Sequence, residues 1–286
     1  MADATAENSR RIETLMDVAH GYGAIICDVW GVVHNGVAKF PAAEEALLSA
    51  RHKGLKVVLL TNSPRPRDGV VAQLAGMGFD ENAYDHIVTS GDATRELIAK
   101  GEGPIHHIGP ERDLDLFADL GVERVALEEA TRVVVTGLFD DENETPDDYR
   151  KLLRELRDRE LPMICANPDI VVQRGEKMIY CAGSIAREYA SLGGEVAFAG
   201  KPHTPIYELA AERIGFDKNA RHRILAIGDG MPTDIRGAQS FGVDVLFITL
   251  GIHSEELDST DPSADSVTRL MEKNCLTARY FMPALR

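Results

Sequence analysis

Residues 24–30, AIICDVW, form a short apolar run that contains a single carboxylate, Asp28. Comparable β-branched and apolar runs lie at 55–60, 86–89, 223–227 and 243–250. Stretches with the apolar spacing of helices separate these runs, and such alternation is typical of a parallel α/β sheet. Because the runs are apolar throughout, they fit strands that are covered on both faces. We therefore predict an α/β fold with a Rossmann-like, doubly wound parallel sheet.

The middle of the chain has an α/β alternation of its own. A charged stretch with periodic leucines, residues 145–159, predicts a helix there. Apolar runs surround it at 105–108, 132–138 and 162–166. We predict that residues 92–193 form an α/β domain inserted into a core domain made of residues 1–91 and 194–286. The segment after Asp258 has no pattern that predicts an element.

Composition excludes several classes of function. Of the 286 residues, 46 are Asp or Glu and 31 are Lys or Arg, so the formal net charge is −15. Nucleic acids and anionic membranes need a cationic face, so we expect neither as a partner. The four cysteines have no CxxC spacing, which argues against a zinc site or a disulfide framework. The first 23 residues lack the apolar core of a signal peptide, and we expect a cytoplasmic protein.

Polar side chains follow several of the predicted core strands. Asp28 closes the first strand, Thr61 closes the second, and Asp229 follows the strand at 223–227, with Asp234 five residues later. Lys201 precedes a predicted helix where the chain returns to the core. Because ligands of open α/β sheets bind beyond the carboxyl ends of the strands, these side chains predict one functional site.

Their chemistry fits phosphoryl transfer. A strand-end aspartate such as Asp28 can attack phosphorus and form an aspartyl-phosphate that water hydrolyses. Two anions approach each other only with compensation, so we expect Mg²⁺, bound by Asp28 and Asp229 with Asp234 at or next to the ion. The Thr61 hydroxyl and the Lys201 ammonium would hold the phosphoryl oxygens in the transition state.

Four motifs carry a resemblance to a known family. In order, they are ICDVWGVVHNG (26–36), VVLLTNSPRP (57–66), GKPHTPIYE (200–208) and AIGDGMPTDIRGAQSFG (226–242). As a set they resemble the haloacid dehalogenase (HAD) superfamily, in particular its class IIA branch of NagD-like and pyridoxal phosphate phosphatase-like enzymes. The insertion between the second and third motifs resembles the large cap domain of that class.

The resemblance implies an Mg²⁺-dependent hydrolase. It would dephosphorylate a small phosphorylated metabolite, such as a sugar phosphate or a nucleotide monophosphate, through an aspartyl-phosphate. It adds the main-chain carbonyl of Trp30 as a metal ligand, and class IIA relatives suggest a homodimer formed through the cap. Asn62 and Ser63, which follow Thr61, are candidates for substrate binding, and the Asn62 amide would fix either the loop or the phosphate.

Segment 165–181, CANPDIVVQRGEKMIYC, resembles the place where class IIA caps carry their specificity loop. Its NPD sequence is similar to the TNPD of the family, which predicts that Asn167 and Asp169 shape the substrate entrance. Arg174 and Lys177 are candidates to bind an anionic substrate. The alternative, that both are surface charges on a turn, stays equally open.

The sequence departs from the family at Trp30. Phosphatases of the superfamily have there a second aspartate, the general acid and base for the leaving group. Three interpretations remain: another group such as His34 takes that role, the substrate is not a phosphomonoester, or the protein is a weakly active or inactive ligand-binding or regulatory protein. Because Asp28, Lys201 and the two distal acids are present, we favour an active, metal-dependent enzyme.

Overall fold

The computed structural model describes residues 9–174, 177–252, 254–257 and 260–286. Residues 1–8 of the N-terminal stretch lie outside the described residues, as do residues 175 and 176 of the predicted specificity segment. The chain divides into two compact units. The first unit consists of three segments: the described residues from 9 to 60, Leu74–Ile87, and Tyr207–Arg286. The second unit consists of Thr61–Gln73 and Val88–Ile206. The domain boundaries at 92 and 193 stay a prediction.

The described residues form thirteen strands and nine α-helices. The strands are β1 Arg10–Arg11, β2 Ala24–Asp28, β3 Lys56–Thr61, β4 His86–Thr89, β5 Ile105–Ile108, β6 Arg132–Val135, β7 Met163–Cys165, β8 Val171–Arg174, β9 Lys177–Tyr180, β10 Val196–Phe198, β11 Ile224–Gly228, β12 Asp244–Ile248 and β13 Tyr280–Met282. The α-helices are α1 Met16–Ala19, α2 Pro41–His52, α3 Arg67–Gly76, α4 Ser90–Lys100, α5 Arg150–Asp158, α6 Ala182–Ser191, α7 Thr204–Arg213, α8 Arg236–Phe241 and α9 Ala264–Lys273. Short 3₁₀ and π turns connect several of them.

The larger sheet has seven strands in the order β1-β13-β12-β11-β2-β3-β4. The pairings from β1 through β13, β12, β11 and β2 to β3 are parallel. From β2 the chain proceeds outward to β3 and β4, whereas from β11 it proceeds to the other side, to β12 and β13. The strand order therefore reverses between β2 and β11, and such a switch point is where open α/β sheets bind ligands. The predicted α/β fold with a parallel sheet is confirmed.

The central strands have the burial that their sequences predict. Every residue of β2 and of β11 is buried. Helix α2 begins with Pro41, which is suited to the first turn of a helix. It buries Ala43, Leu47 and Ala50, three positions on one helical face. Continuous apolar runs thus form the sheet, and amphipathic helices connect its strands.

The C-terminal segment, for which the sequence predicts no element, completes this sheet. Helix α9 begins after Ser263, whose side chain accepts a hydrogen bond from the Ser266 N–H at 3.2 Å. Strand β13 then pairs with β12 on one side and with β1 on the other. Strands from both ends of the described chain, β1 and β13, therefore lie side by side at one edge of the core sheet.

The second unit has a sheet of four strands in the order β10-β7-β6-β5, with parallel pairings throughout. A two-stranded antiparallel hairpin, β8–β9, accompanies it. The predicted helix at 145–159 begins as a 3₁₀ turn, Pro146–Tyr149, behind a Thr145–Asp148 capping box, and continues as α5. Within the described part of the chain, no helix combines the length and apolar character needed to cross a membrane.

Candidate active site

Three carboxylates meet at the switch point of the core sheet. Asp28 is the last residue of β2, Asp229 follows β11 directly, and Asp234 lies in a π turn, Met231–Ile235. Cys27 pairs with Ile227, so Asp28 and Asp229 lie at the ends of neighbouring strands. One carboxylate oxygen from each aspartate lies within 4.8 Å of the other two, and the three side chains are 6–7% exposed.

Backbone donors and a buried hydroxyl orient two of these carboxylates. The N–H of Ile252 donates to Asp229 Oδ2 at 2.9 Å, and the N–H of Gly230 donates to Asp234 Oδ2 at 3.1 Å. The Tyr207 hydroxyl donates to the main-chain oxygen of Asp234 at 3.1 Å. These bonds hold the π turn and therefore the direction in which the Asp234 carboxylate points.

Two glycines let the backbone approach Asp229 closely. Gly31 has φ +87°, and a Cβ added there would overlap the Asp229 carboxylate, with Cγ only 2.8 Å away. A Cβ at Gly251 would overlap the same carboxylate. Any larger residue at either position would force the carboxylate to move. The acidic group is therefore enclosed by main chain.

This donor set fits a divalent cation. Three carboxylates that are this close and this buried repel one another unless a cation or protons compensate their charge. Carboxylate oxygens are the ligands that Mg²⁺ and Ca²⁺ prefer, and Mg²⁺ is commonly held by one or two carboxylates together with water. Asp28, Asp229 and Asp234 supply such a set without rearrangement of the chain.

Trp30 packs in the loop that follows β2. Its ring makes an edge-to-face contact with the His34 ring at a centroid distance of 5.1 Å. His34 is 2% exposed, and its Nδ1 accepts a hydrogen bond from the Gly36 N–H at 2.8 Å. Burial lowers the pKa of His34 to about 4, so its imidazole is neutral near pH 7. These contacts favour a structural role for His34 over that of the missing acid.

In the second unit, Asn62 holds the backbone of Lys201 from two sides. Its Oδ1 accepts from the Lys201 N–H at 2.7 Å, and its Nδ2 donates to the Lys201 main-chain oxygen at 3.1 Å. The same Nδ2 donates to Asp169 Oδ1 at 2.9 Å, and the Asp169 N–H donates to Asn167 Oδ1 at 3.1 Å. Four residues predicted for the site thus form one hydrogen-bond network, in which Asp169 is half-buried and the other three are buried: Asn62, Asn167, Asp169 and Lys201. Both donors of Asn62 are used within it, which makes Asn62 a positioning residue for Lys201.

The loop after β3 has internal hydrogen bonds of its own. Thr61 ends β3, and its hydroxyl oxygen accepts from the Ser63 N–H at 3.1 Å. The Ser63 hydroxyl oxygen accepts from the Arg65 N–H at 3.3 Å. These contacts fix the TNS turn, and substrate binding by Asn62 and Ser63 stays a prediction.

Arg174 is engaged by acidic side chains of the second unit. Its guanidinium lies 2.9 Å from Asp141 Oδ2 and 3.3 Å from Glu142 Oε1, and Lys177 Nζ lies 3.1 Å from Glu142 Oε2. Arg112 also pairs with Asp141. This network favours the surface-charge alternative for both cations, and a substrate contact of Arg174 remains a prediction.

Comparison with known proteins shows to which family the chain belongs. The family model of haloacid dehalogenase-like hydrolases matches residues 25–123, and a HAD-hydrolase-like model matches residues 198–271. The solved structure of a haloacid dehalogenase-like hydrolase from Brucella suis 1330 is 50% identical, covers 96% of this chain and 100% of that one, and has a TM-score of 0.86. The chain belongs to the haloacid dehalogenase-like hydrolases.

Two curated relatives of this haloacid dehalogenase-like hydrolase are named as a 5'-nucleotidase and as a phosphatase. The 5'-nucleotidase YutF of Bacillus subtilis is 26% identical, and the match covers 82% of this chain and 90% of that protein. The D-glycerol 3-phosphate phosphatase of Mycobacterium tuberculosis is also 26% identical, over 84% of this chain and 66% of that protein. These relatives agree with the class IIA resemblance of the four motifs.

Sequence reasoning missed two residues that shape the acidic site of this hydrolase. Gly251 follows a predicted strand directly, and a glycine at a strand end is a signal for close backbone approach. Tyr207 lies six residues after Lys201 within the third motif, and nothing in its sequence context indicates that its hydroxyl reaches Asp234. The Tyr207 contact joins residues 27 positions apart, and only the fold brings them together.

Proposed function

We propose that this haloacid dehalogenase-like hydrolase is an Mg²⁺-dependent phosphatase of small phosphorylated metabolites. The observation that carries the proposal is the buried cluster of Asp28, Asp229 and Asp234, with one oxygen of each within 4.8 Å of the others. Such a cluster at the switch point of a parallel sheet suits a divalent cation beside a nucleophilic carboxylate. The names of the curated relatives support the phosphatase activity.

Asp28 is the nucleophile in this proposal. Its carboxylate attacks phosphorus, the bond to the leaving oxygen breaks, and water then hydrolyses the aspartyl-phosphate to free Asp28 and inorganic phosphate. Asp28, Asp229, Asp234 and the Trp30 carbonyl would hold Mg²⁺. When bound, this ion offsets the negative charge of the phosphoryl oxygens.

Thr61 and Lys201 would bind the transferred phosphoryl group. A hydroxyl and an ammonium are donors suited to the charge that develops on its oxygens. Lys201 is 3% exposed, and the two Asn62 hydrogen bonds fix its backbone, so its position is set before substrate binds. Asn62, Ser63, Asn167, Asp169 and Arg174 are proposed to line the substrate side, and this assignment rests on the family resemblance.

Trp30 narrows the choice of substrate. General acid catalysis typically contributes about 10²–10⁴-fold, and a tryptophan cannot supply it. Phosphate esters whose leaving group needs no protonation should therefore react best. The metabolite substrates that we propose from the family resemblance are sugar phosphates and nucleotide monophosphates, whose alkoxide leaving groups need a proton, so they should react more slowly than aryl esters. We further propose a cytoplasmic enzyme that forms a homodimer through residues 92–193 and binds neither nucleic acid nor membranes.

Phosphate release tests the proposal. The substrates are p-nitrophenyl phosphate, glycerol 3-phosphate and a nucleoside 5'-monophosphate, each with Mg²⁺ or with EDTA. We expect release that requires Mg²⁺ and is fastest with the aryl ester. Folded protein that releases no phosphate from any of them would refute the phosphatase, and equal release in EDTA would refute the metal requirement.

A further inference from the structure

Thr249 has a buried hydroxyl that no described residue satisfies. It follows β12, and its side chain is 1% exposed. Among the described residues, its Oγ1 has no hydrogen-bond partner. Buried polar atoms without a partner are rare in native proteins, because their desolvation is not compensated. The hydroxyl therefore indicates a partner other than the described residues.

Strand register places Thr249 beside the acidic cluster. Phe247 pairs with Gly228 in the last row of the parallel β11–β12 ladder, and Thr249 lies two residues after Phe247. Thr249 is still extended, because its N–H donates to the Met282 main-chain oxygen at 3.0 Å. Neighbouring strands lie about 4.8 Å apart. Thr249 thus lies at the carboxyl end of β12, the strand that neighbours β11, and Asp229 directly follows β11.

Two further contacts connect this segment with the cluster. A Cβ added at Gly228 would overlap the Asp234 side chain, so that side chain occupies the face of β11 that Gly228 leaves open. Residues in register on adjacent strands direct their side chains to the same face, so Phe247 faces the side that Asp234 occupies. Thr249, two residues after Phe247 in extended backbone, faces the same side. Three residues later, the Ile252 N–H donates to Asp229 Oδ2 at 2.9 Å. Thr249 is therefore the first residue of the segment 249–252, in which Gly251 and Ile252 lie against the Asp229 carboxylate.

We propose that the Thr249 hydroxyl accepts a hydrogen bond from a water molecule bound to the divalent cation. Mg²⁺ keeps several of its waters when it binds protein carboxylates, and each of those waters needs acceptors. Thr249 is a positioning residue in this scheme, since it contacts neither the ion nor the phosphoryl group. The inference rests on the cation site of the proposed function but not on its phosphatase activity.

Mg²⁺ binding without substrate tests the inference. Thr249→Val removes the hydroxyl at nearly constant volume, and Thr249→Ser is the matched control that keeps it. Calorimetric titration with Mg²⁺ gives the dissociation constant, and thermal unfolding in EDTA gives the Tm of the metal-free protein. Loss of a group that supports a metal site typically weakens metal binding about 10–100-fold.

We expect a Kd for Mg²⁺ raised by about 10–100-fold in Thr249→Val and close to the wild-type value in Thr249→Ser. The Tm in EDTA should be unchanged or higher in Thr249→Val, because the substitution removes an uncompensated buried hydroxyl. A structural role predicts the opposite pattern, a lower Tm in EDTA with unchanged Mg²⁺ binding.

That opposite pattern, or an unchanged Kd alone, would overturn the proposal. If Thr249→Val does not fold, Thr249→Ala is compared with Thr249→Ser by the same titration. Wild-type protein that binds no Mg²⁺ would overturn the cation site and this inference together. Protein that binds Mg²⁺ with the expected dependence on Thr249 but releases no phosphate would refute only the proposed function.

Discussion

Gly31→Ala should disable the cation site from a position that donates no ligand. The new Cβ would overlap the Asp229 carboxylate, with Cγ 2.8 Å away, and would have to occupy φ +87°. The left-handed conformation alone costs an alanine about 1–2 kcal/mol. Displacing Asp229 also breaks its 2.9 Å hydrogen bond from Ile252, and a hydrogen bond to a charged group contributes about 1.5–3 kcal/mol.

Gly54→Ala is the matched control for this substitution. Gly54 has φ +88°, nearly that of Gly31, but a Cβ there would meet no atom within 4 Å. Gly54→Ala should therefore lower the free energy of unfolding only by the cost of the left-handed conformation, about 1–2 kcal/mol. At about 2–4 °C per kcal/mol, its Tm should fall by about 2–8 °C. Gly31→Ala should lower the free energy of unfolding by about 3–5 kcal/mol, which corresponds to a Tm lower by about 6–20 °C.

The two variants should differ most in their response to Mg²⁺. Calorimetry and thermal unfolding at increasing Mg²⁺ should show wild-type stabilisation in Gly54→Ala and an Mg²⁺ affinity reduced by at least about tenfold in Gly31→Ala. If Gly31→Ala bound Mg²⁺ as tightly as Gly54→Ala, the close approach of Gly31 to Asp229 would have no bearing on the cation site. That result would refute the reasoning.

Three further substitutions test other parts of the molecule. Asn62→Asp replaces the amide that donates to the Lys201 and Asp169 oxygens by a carboxylate oxygen. Denaturant unfolding should show a free energy of unfolding that is lower by about 2–4 kcal/mol, and kcat/KM should fall as well. An unchanged free energy of unfolding would contradict the Asn62 network. Burial lowers the pKa of His107 to about 4, below the ordinary 6.5, so the folded protein binds this proton less readily than the unfolded chain does. The stability linked to His107 is therefore present above pH 6.5 and is lost as the pH falls toward 4. In His107→Asn, the free energy of unfolding should depend less on pH over that interval. An unaltered pH dependence would argue against the lowered pKa of His107. Trp30→Asp should raise kcat/KM for alkyl phosphates more than for aryl phosphates, by up to about 10²–10⁴-fold, and an equal response to both esters would show that proton donation is not limiting.

Local sequence patterns predict the centre of the fold well and its edges poorly. The runs at 24–30 and 223–227 correspond to β2 and β11, because strands that are covered on both faces of a parallel sheet are largely apolar. By contrast, β1 consists of two exposed arginines. It exists because the Arg10 N–H donates to the Arg279 main-chain oxygen at 3.0 Å, a contact between the two ends of the chain. No pattern within either segment indicates that pairing.

The same distinction applies to the site. Strand-end position and residue type are enough to single out Asp28 and Asp229, since both follow apolar runs and both carry carboxylates. The hydrogen bond from Tyr207 to Asp234 and the β11–β12 register that places Thr249 near the cluster depend on tertiary packing. Arg174 shows the converse case, because its charge suggests a ligand contact while Asp141 and Glu142 already lie against it.

The most direct test of the central claim is to trap the phosphorylated enzyme. Wild-type protein and Asp28→Asn are mixed with p-nitrophenyl phosphate and Mg²⁺, quenched in acid within the first turnovers, digested, and analysed by mass spectrometry of the peptide that contains residue 28. We predict a phosphoryl group on Asp28 in the wild-type protein. We also predict that Asp28→Asn, with an unchanged circular dichroism spectrum, shows neither the modified peptide nor phosphate release. Sustained phosphate release by folded Asp28→Asn would contradict the assignment of Asp28 as the nucleophile.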